Sequence, residues 1–124
     1  MPSRLQKHIL VVEDDPLVSE VVQDALDGLY DTSCAETAAA AKECLRAGGI
    51  DAILLDCTLP GGLDPDLVPM ADGSGIPVIL MSGHSDMMER VPGARSCIQK
   101  PFSLTALVAT IQRVMQAEEA GSAR

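Results

Sequence analysis

Three short runs limit what this chain can become: "HILVVE" (8–13), "DAILLD" (51–56) and "PVILMSG" (77–83). Each holds four consecutive apolar residues with no polar alternation. A strand with one face in water alternates, whereas a strand that is apolar throughout must be covered on both faces. Such strands belong to parallel sheets with helices on either side. Here each run also ends in a carboxylate or a hydroxyl, so polar groups gather where the strands stop.

Helical patterns lie between the runs. Asp15 before Pro16 is an N-cap followed by proline at the first helical position. The spacing after it predicts a helix burying Val18, Val21, Val22 and Ala25, ended by Gly28. A weak strand is expected near "TSCA" (32–35), and Thr37 opens an alanine-rich helix that stops at Gly48-Gly49. In "LDPDLVPMADGSG" (63–75), Asp64 and Pro65 can start a helix, but Pro69 would interrupt its hydrogen-bond ladder, so any helix there is short or kinked. "SCIQKP" (96–101) reads as a further short strand. Ser103 then caps a last helix with Leu104, Leu107, Val108, Ile111, Val114 and Met115 on one stripe, before a frayed "EEAGSAR" tail. Strand and helix in alternation give an α/β fold with a parallel sheet. We read one domain over 1–124, with its core at about 8–118.

Composition excludes several classes. Aromatics are only 2% of the chain, so aliphatic side chains must fill the core. The net charge of −9 argues against a nucleic-acid or anionic-membrane surface, each of which needs basic groups. The four cysteines (Cys34, Cys44, Cys57, Cys97) show no metal-ligand spacing and are expected to be reduced. The N-terminus lacks the apolar run of a signal peptide, and no stretch reaches the roughly 18 apolar residues of a membrane span. A cytoplasmic location is expected.

In open parallel sheets, ligands sit beyond the carboxyl ends of the strands. The residues there are Glu13-Asp14-Asp15, Asp56, Ser82 and Lys100. Two unit charges about 4 Å apart repel by about 4 kcal/mol at an effective dielectric near 20. Clustered carboxylates therefore call for a cation. Mg²⁺, which favours carboxylate, water and phosphate oxygens, suits this set. Lys100 supplies a fixed positive charge and Ser82 a hydroxyl donor for an anion.

With these residues in place, the chain resembles the receiver domain of bacterial two-component response regulators. The motifs are the acidic pair Glu13-Asp14, the Asp56 to Gly62 segment "DCTLPGG", Ser82-Gly83, and "KPF" from Lys100 to Phe102. The resemblance implies a flavodoxin-like doubly wound (βα)5 fold with five parallel strands in the order 2-1-3-4-5. It implies that Asp56 accepts a phosphoryl group from phosphohistidine and that Ser82 and Lys100 contact it. Mg²⁺ would be held by Asp14, Asp56, Glu13 largely through water, and the Thr58 backbone carbonyl. The Lys100-Pro101 bond would be cis. Such a domain is no conventional enzyme, but a phosphoacceptor switch that assists its own phosphorylation and dephosphorylation.

The chain also departs from the family. Cys97 replaces the usual switch aromatic, Pro65 replaces a glycine, and the Ser82–Lys100 stretch, with "VPGA" (91–94) inside it, is short enough that its helix must be small or partly melted. Thr58 and His84 occupy positions that tune the lifetime of the phosphoryl group. Leu17, off the apolar stripe of the first helix, is expected to contact the histidine-bearing partner. That partner would be a histidine kinase or histidine phosphotransfer protein, with an unknown protein as output and a monomer or weak homodimer as the state. Two rivals use the same residues differently: a phosphorylation-independent adaptor, and a flavodoxin-like binder of a small phosphorylated ligand. The second lacks a glycine-rich loop after the first strand.

Overall fold

The computed structural model describes residues 6–59, 64–83 and 96–122, with side chains through residue 118. Five strands form one parallel sheet: β1 (His8–Val12), β2 (Asp31–Ala35), β3 (Ala52–Asp56), β4 (Val78–Ser82) and β5 (Cys97–Gln99). Their order is β2-β1-β3-β4-β5, as the resemblance implies. The described helices are α1 (Pro16–Leu26), α2 (Ala38–Ala47), α3 (Leu67–Gly73) and α4 (Leu104–Ser122). The short helix expected between Ser82 and Lys100 falls on residues 84–95, outside the described residues.

The unbroken apolar runs are buried on both sides, as their composition demands. All five residues of β3 and of β4 are buried. Successive side chains alternate between two cores. Leu10, Val12, Ile53, Leu55 and Leu80 pack with Ala41 of α2 and Leu67, Val68 and Ala71 of α3. Ile9, Val11, Leu54, Ile79 and Met81 pack with Val22 and Leu26 of α1 and Leu107, Ile111 and Met115 of α4.

The caps explain where the helices begin. Asp15 Oδ1 accepts from Leu17 N at 2.9 Å, and Thr37 Oγ1 accepts from Ala40 N at 3.1 Å. Ser103 Oγ accepts from Ala106 N at 3.0 Å. After α1, Gly28 takes φ 83°, the left-handed conformation that glycine adopts without Cβ strain.

The structure corrects three sequence expectations. In α1 Val22 is buried and Val18 and Ala25 pack half-buried against the core, as expected, but Val21 is 46% exposed and the buried face is completed by Ser19 and Leu26. Leu104 is likewise 45% exposed, at the start of α4 before the helix meets the sheet. The third helix is short, as expected: α3 starts only at Leu67, so Pro69 falls in its first turn, where amides have no intrahelical acceptor. Asp64 still caps this segment: its Oδ1 accepts from Asp66 N and Leu67 N, and Oδ2 pairs with Lys42 at 3.0 Å. Finally, α4 continues through Ser122 instead of fraying from Glu118, because "QAEEA" has high helix propensity and no proline.

The rotated stripe yields a stability contrast between adjacent valines. Val22→Ala should cost about 2–3 kcal/mol and Val21→Ala less than about 1 kcal/mol in urea unfolding.

Candidate functional site

The sheet order reverses between β1 and β3, and that crevice is where the polar residues converge. The pairing of Val12 with Leu55 places the next residues, Glu13 and Asp56, side by side. On the far side, β4 and β5 contribute Ser82 and Lys100, joined by a backbone bond from Lys100 N to Ser82 O at 2.9 Å. Four loops thus deliver Glu13, Asp56, Ser82 and Lys100 to one end of the sheet.

Glu13, Asp56 and Ser82 are almost wholly buried, at 1%, 2% and 0% exposure. Two adjacent buried carboxylates require compensation, and Lys100 provides it. Its Nζ lies 2.9 Å from Glu13 Oε1 and 3.3 Å from Asp56 Oδ2. The other oxygens are also engaged. Glu13 Oε2 accepts from Asp15 N at 3.2 Å, and Asp56 Oδ1 accepts from Thr58 N at 2.9 Å and Thr58 Oγ1 at 2.7 Å. The carboxylates of Glu13, Asp14 and Asp56 offer ligand atoms within 4.8 Å of one another, with Asp14 exposed on the rim. This is a donor set a hard divalent cation can use.

The environment separates the two buried acids. Burial pushes the Glu13 carboxyl above its ordinary range, against the bond from Lys100. Burial acts the same way on Asp56, but the paired donors of Thr58, then Glu13 and the Lys100 charge, carry it below the ordinary value. Glu13 is therefore the first of the pair to take up a proton as pH falls, and Asp56 stays ionised. For Lys100, burial is outweighed by Glu13 and Asp56, and its ammonium form persists above the usual lysine range. Cys57 is pushed up to about 11 by burial, with the charge of Asp56 adding to it, so its thiol stays protonated and unreactive at neutral pH.

The remaining predicted residues divide. Leu17 is 71% exposed on α1. It lines an open apolar groove with Val18, Val21, Lys100, Pro101 and Phe102. Cys97 is exposed on β5. His84 lies outside the described residues. The Lys100-Pro101 bond is cis. Sequence reasoning had Lys100 balance the acids and serve an external anion, but did not single out Glu13 as its nearest partner. It also missed Val21 and Phe102 beside Leu17. The off-stripe Leu17 and the "KPF" run were the available signals, but their meeting depends on how α1 sits against the loop after β5.

The model of the response regulator receiver domain matches residues 9–112. The chain belongs to this family. It is 33% identical over 122 residues to the DNA-binding response regulator MtrA of Mycolicibacterium smegmatis, a match covering 93% of this chain and 53% of that protein. It is 36% identical over 118 residues to the transcriptional regulatory protein CseB of Streptomyces coelicolor, covering 90% and 50%. The receiver chain thus spans about half the length of these relatives. A signal receiver domain of an HD domain-containing protein from Pseudomonas fluorescens superposes with TM-score 0.85 at 17% identity, covering 100% and 97% of the two chains. A CheY-like receiver from Methanospirillum hungatei gives 0.81 at 23% identity, covering 94% and 98%. These two likenesses concern the fold. Among the described residues of the receiver, no helix is long and apolar enough to cross a membrane.

The Lys100 bridge has a pH signature. Removing the ammonium leaves two buried carboxylates unpaired, which costs about 2–4 kcal/mol when both are ionised. The folded state raises the Glu13 pKa, so as pH falls the native protein takes up that proton before the unfolded chain does. Lys100→Met should therefore be strongly destabilised near pH 7.5 in the presence of EDTA, and measurably less so near pH 5, by urea unfolding. An equal cost at both pH values would contradict the bridge.

Proposed function

We propose that this receiver takes a phosphoryl group onto Asp56 from the phosphohistidine of a histidine kinase or histidine phosphotransfer protein. The observation that carries this reading is Asp56 itself: a carboxylate 2% exposed, held ionised, with the Lys100 ammonium at 3.3 Å and two further acids beside it. Such a group is poised as a nucleophile rather than as a solvated charge. Asp14 and Asp56 would hold Mg²⁺ directly, with the Thr58 carbonyl. Glu13 would act largely through water, as the family resemblance implies. When bound, the ion neutralises charge on the transferring group.

Transfer then follows from positions on this chain. One Asp56 oxygen gives a lone pair to phosphorus while the P–N bond breaks and its electrons return to the imidazole. Lys100 lies where a phosphoryl oxygen would add negative charge, and its ammonium can leave Asp56 for that oxygen while keeping Glu13. Ser82, on the loop bonded to Lys100 through the backbone, is placed to donate its hydroxyl to the same group. A loose phosphoryl transition state asks chiefly for such positioning and charge. The domain thereby assists its own phosphorylation and dephosphorylation as a switch, in keeping with a cytoplasmic signalling role.

The apolar groove containing Leu17 borders Lys100 and is the surface we assign to the histidine-bearing partner. We assign the output contact of the receiver itself to a protein surface, since its net charge of −9 disfavours contact with DNA. A second reading keeps the fold as a phosphorylation-independent adaptor. The exposed Cys97, in place of the switch aromatic, favours it.

Incubation with Mg²⁺ and acetyl phosphate separates the two. Wild type should gain one phosphoryl group by intact mass and Asp56→Asn none. If neither acetyl phosphate nor a phosphohistidine donor adds mass to wild type, the adaptor is the correct account. Leu17→Asp should slow transfer from a phosphohistidine protein by about tenfold, as a buried apolar contact worth about 1.4 kcal/mol would. Its uptake from acetyl phosphate should match wild type, because the small donor needs no docking groove.

A further inference from the structure

The apolar groove beside Leu17 is followed by another between the same two helices, lined by Ala25 of α1 and by Leu104, Val108 and Gln112 of α4. Leu17, Val21 and Ala25 recur at four-residue spacing and so share one side of α1. Leu17 is 71% exposed, Val21 46% and Leu104 45%. The furrow thus leaves apolar side chains of both helices in water, and withdrawing them is favourable in proportion to the area covered.

Charge decides what can cover it. The chain carries a net charge of −9, so two copies repel one another in general. The furrow is different. Of the residues that line it, Lys100 alone is charged, and α4 has no charged residue from Leu104 to Gln112. A basic partner would be drawn to acids elsewhere rather than to this strip. At the end away from Lys100, two opposite charges flank the furrow: Asp24 on α1 next to Ala25, and Arg113 on α4 next to Gln112. Both are exposed, and no ion pair joins either to another described residue.

These positions are self-complementary. α1 and α4 each follow a strand of one parallel sheet and pack on the same core, so they run side by side in the same direction. A twofold axis parallel to them lays α1 of one copy on α4 of the other, and α4 on α1. Leu17 then meets Leu104, since each stands in the first turn of its helix. Asp24 meets Arg113 at the other end, and the symmetry makes every contact twice. We propose that the α1–α4 furrow is the interface of a parallel twofold dimer of this chain. Such a dimer covers Leu17 and Val21. On the reading that this groove receives the histidine-bearing partner, a second copy and that partner cannot occupy it together.

Sedimentation velocity of the full chain, from a few micromolar to several hundred micromolar at low ionic strength, tests the interface without any phosphoryl donor. Wild type should pass from monomer to dimer as concentration rises. Leu104→Asp sets a carboxylate into each half of the apolar contact and should weaken the dimer at least about tenfold. Asp24→Arg and Arg113→Asp should each weaken it about three- to tenfold, as two lost rim ion pairs would. These two changes move the net charge in opposite directions, so weakening by both cannot come from net charge. The double variant Asp24→Arg/Arg113→Asp restores the pairs across the interface and should return to within about twofold of wild type. A wild type that stays monomeric throughout overturns the proposal, as does a dimer that Leu104→Asp leaves unchanged or that the double variant fails to restore. Thermal melting of each variant serves as the folding control, and should Leu104→Asp prove unfolded, Thr105→Asp, at an exposed residue of the same furrow, replaces it under the same criteria. Because no step involves Asp56, failure here leaves the phosphoacceptor reading standing, and failure of phosphoryl uptake leaves the dimer standing.

Discussion

One ammonium group holds this site together. Lys100 Nζ bridges Glu13 and Asp56 at the point where the sheet order reverses, and both carboxylates are almost completely withdrawn from water. Without a cation, their mutual repulsion and desolvation would drive one of them to take a proton or the loops to open. With it, the first, third and fifth strands end at a common electrostatic centre. The backbone bond from Lys100 N to Ser82 O extends that arrangement to β4. The same ammonium can follow negative charge that arrives with a phosphoryl group. On the proposed phosphoacceptor reading, this resting contact is also the sensor of modification.

The surrounding fold is built to make that centre rigid. Strands buried on both faces have little freedom to shift register, because a slip by one residue exchanges the two cores. The loops at their carboxyl ends inherit this rigidity through the Asp15 cap of α1 and the Asp56–Thr58 turn. Variation is left to the exposed rim. Leu17 and Val21 stand in the open beside Pro101 and Phe102, where their apolar surface gains nothing from the core and is available to a partner.

Much of the site was legible before any coordinates. Asp56 and Ser82 each follow a run of apolar residues and Lys100 a short strand-like segment, and a parallel sheet brings such strand ends together whatever the details of packing. Asp14 and Glu13 could be placed for the same reason. Not legible was the pairing within the cluster. A lysine near carboxylates reads equally well as a partner for a bound anion or as a counter-ion in place, and only distances distinguish these. The Thr58 hydroxyl is a similar case. Its sequence position two residues after Asp56 was evident, but a hydroxyl can rotate away, and its engagement with Oδ1 is a fact of side-chain geometry.

The helices show the same division from the side of packing. Caps at Asp15, Thr37 and Ser103 are local: each needs only its own side chain and an amide two or three residues on, so sequence alone determined them. Strand identity and sheet class were determined in the same way, by apolar runs that no exposed strand could carry. The face that α1 turns to the sheet was decided only in the folded molecule. Of the stripe Val18, Val21, Val22 and Ala25, Val21 is turned to solvent, while Ser19 and Leu26 join Val22 in the buried face. Periodicity defines a helix's apolar side only to within part of a turn. The remaining rotation is set by what the neighbouring elements offer, here Cys34 of β2 as a partner for the Ser19 hydroxyl and Leu26 as a better plug than Val21.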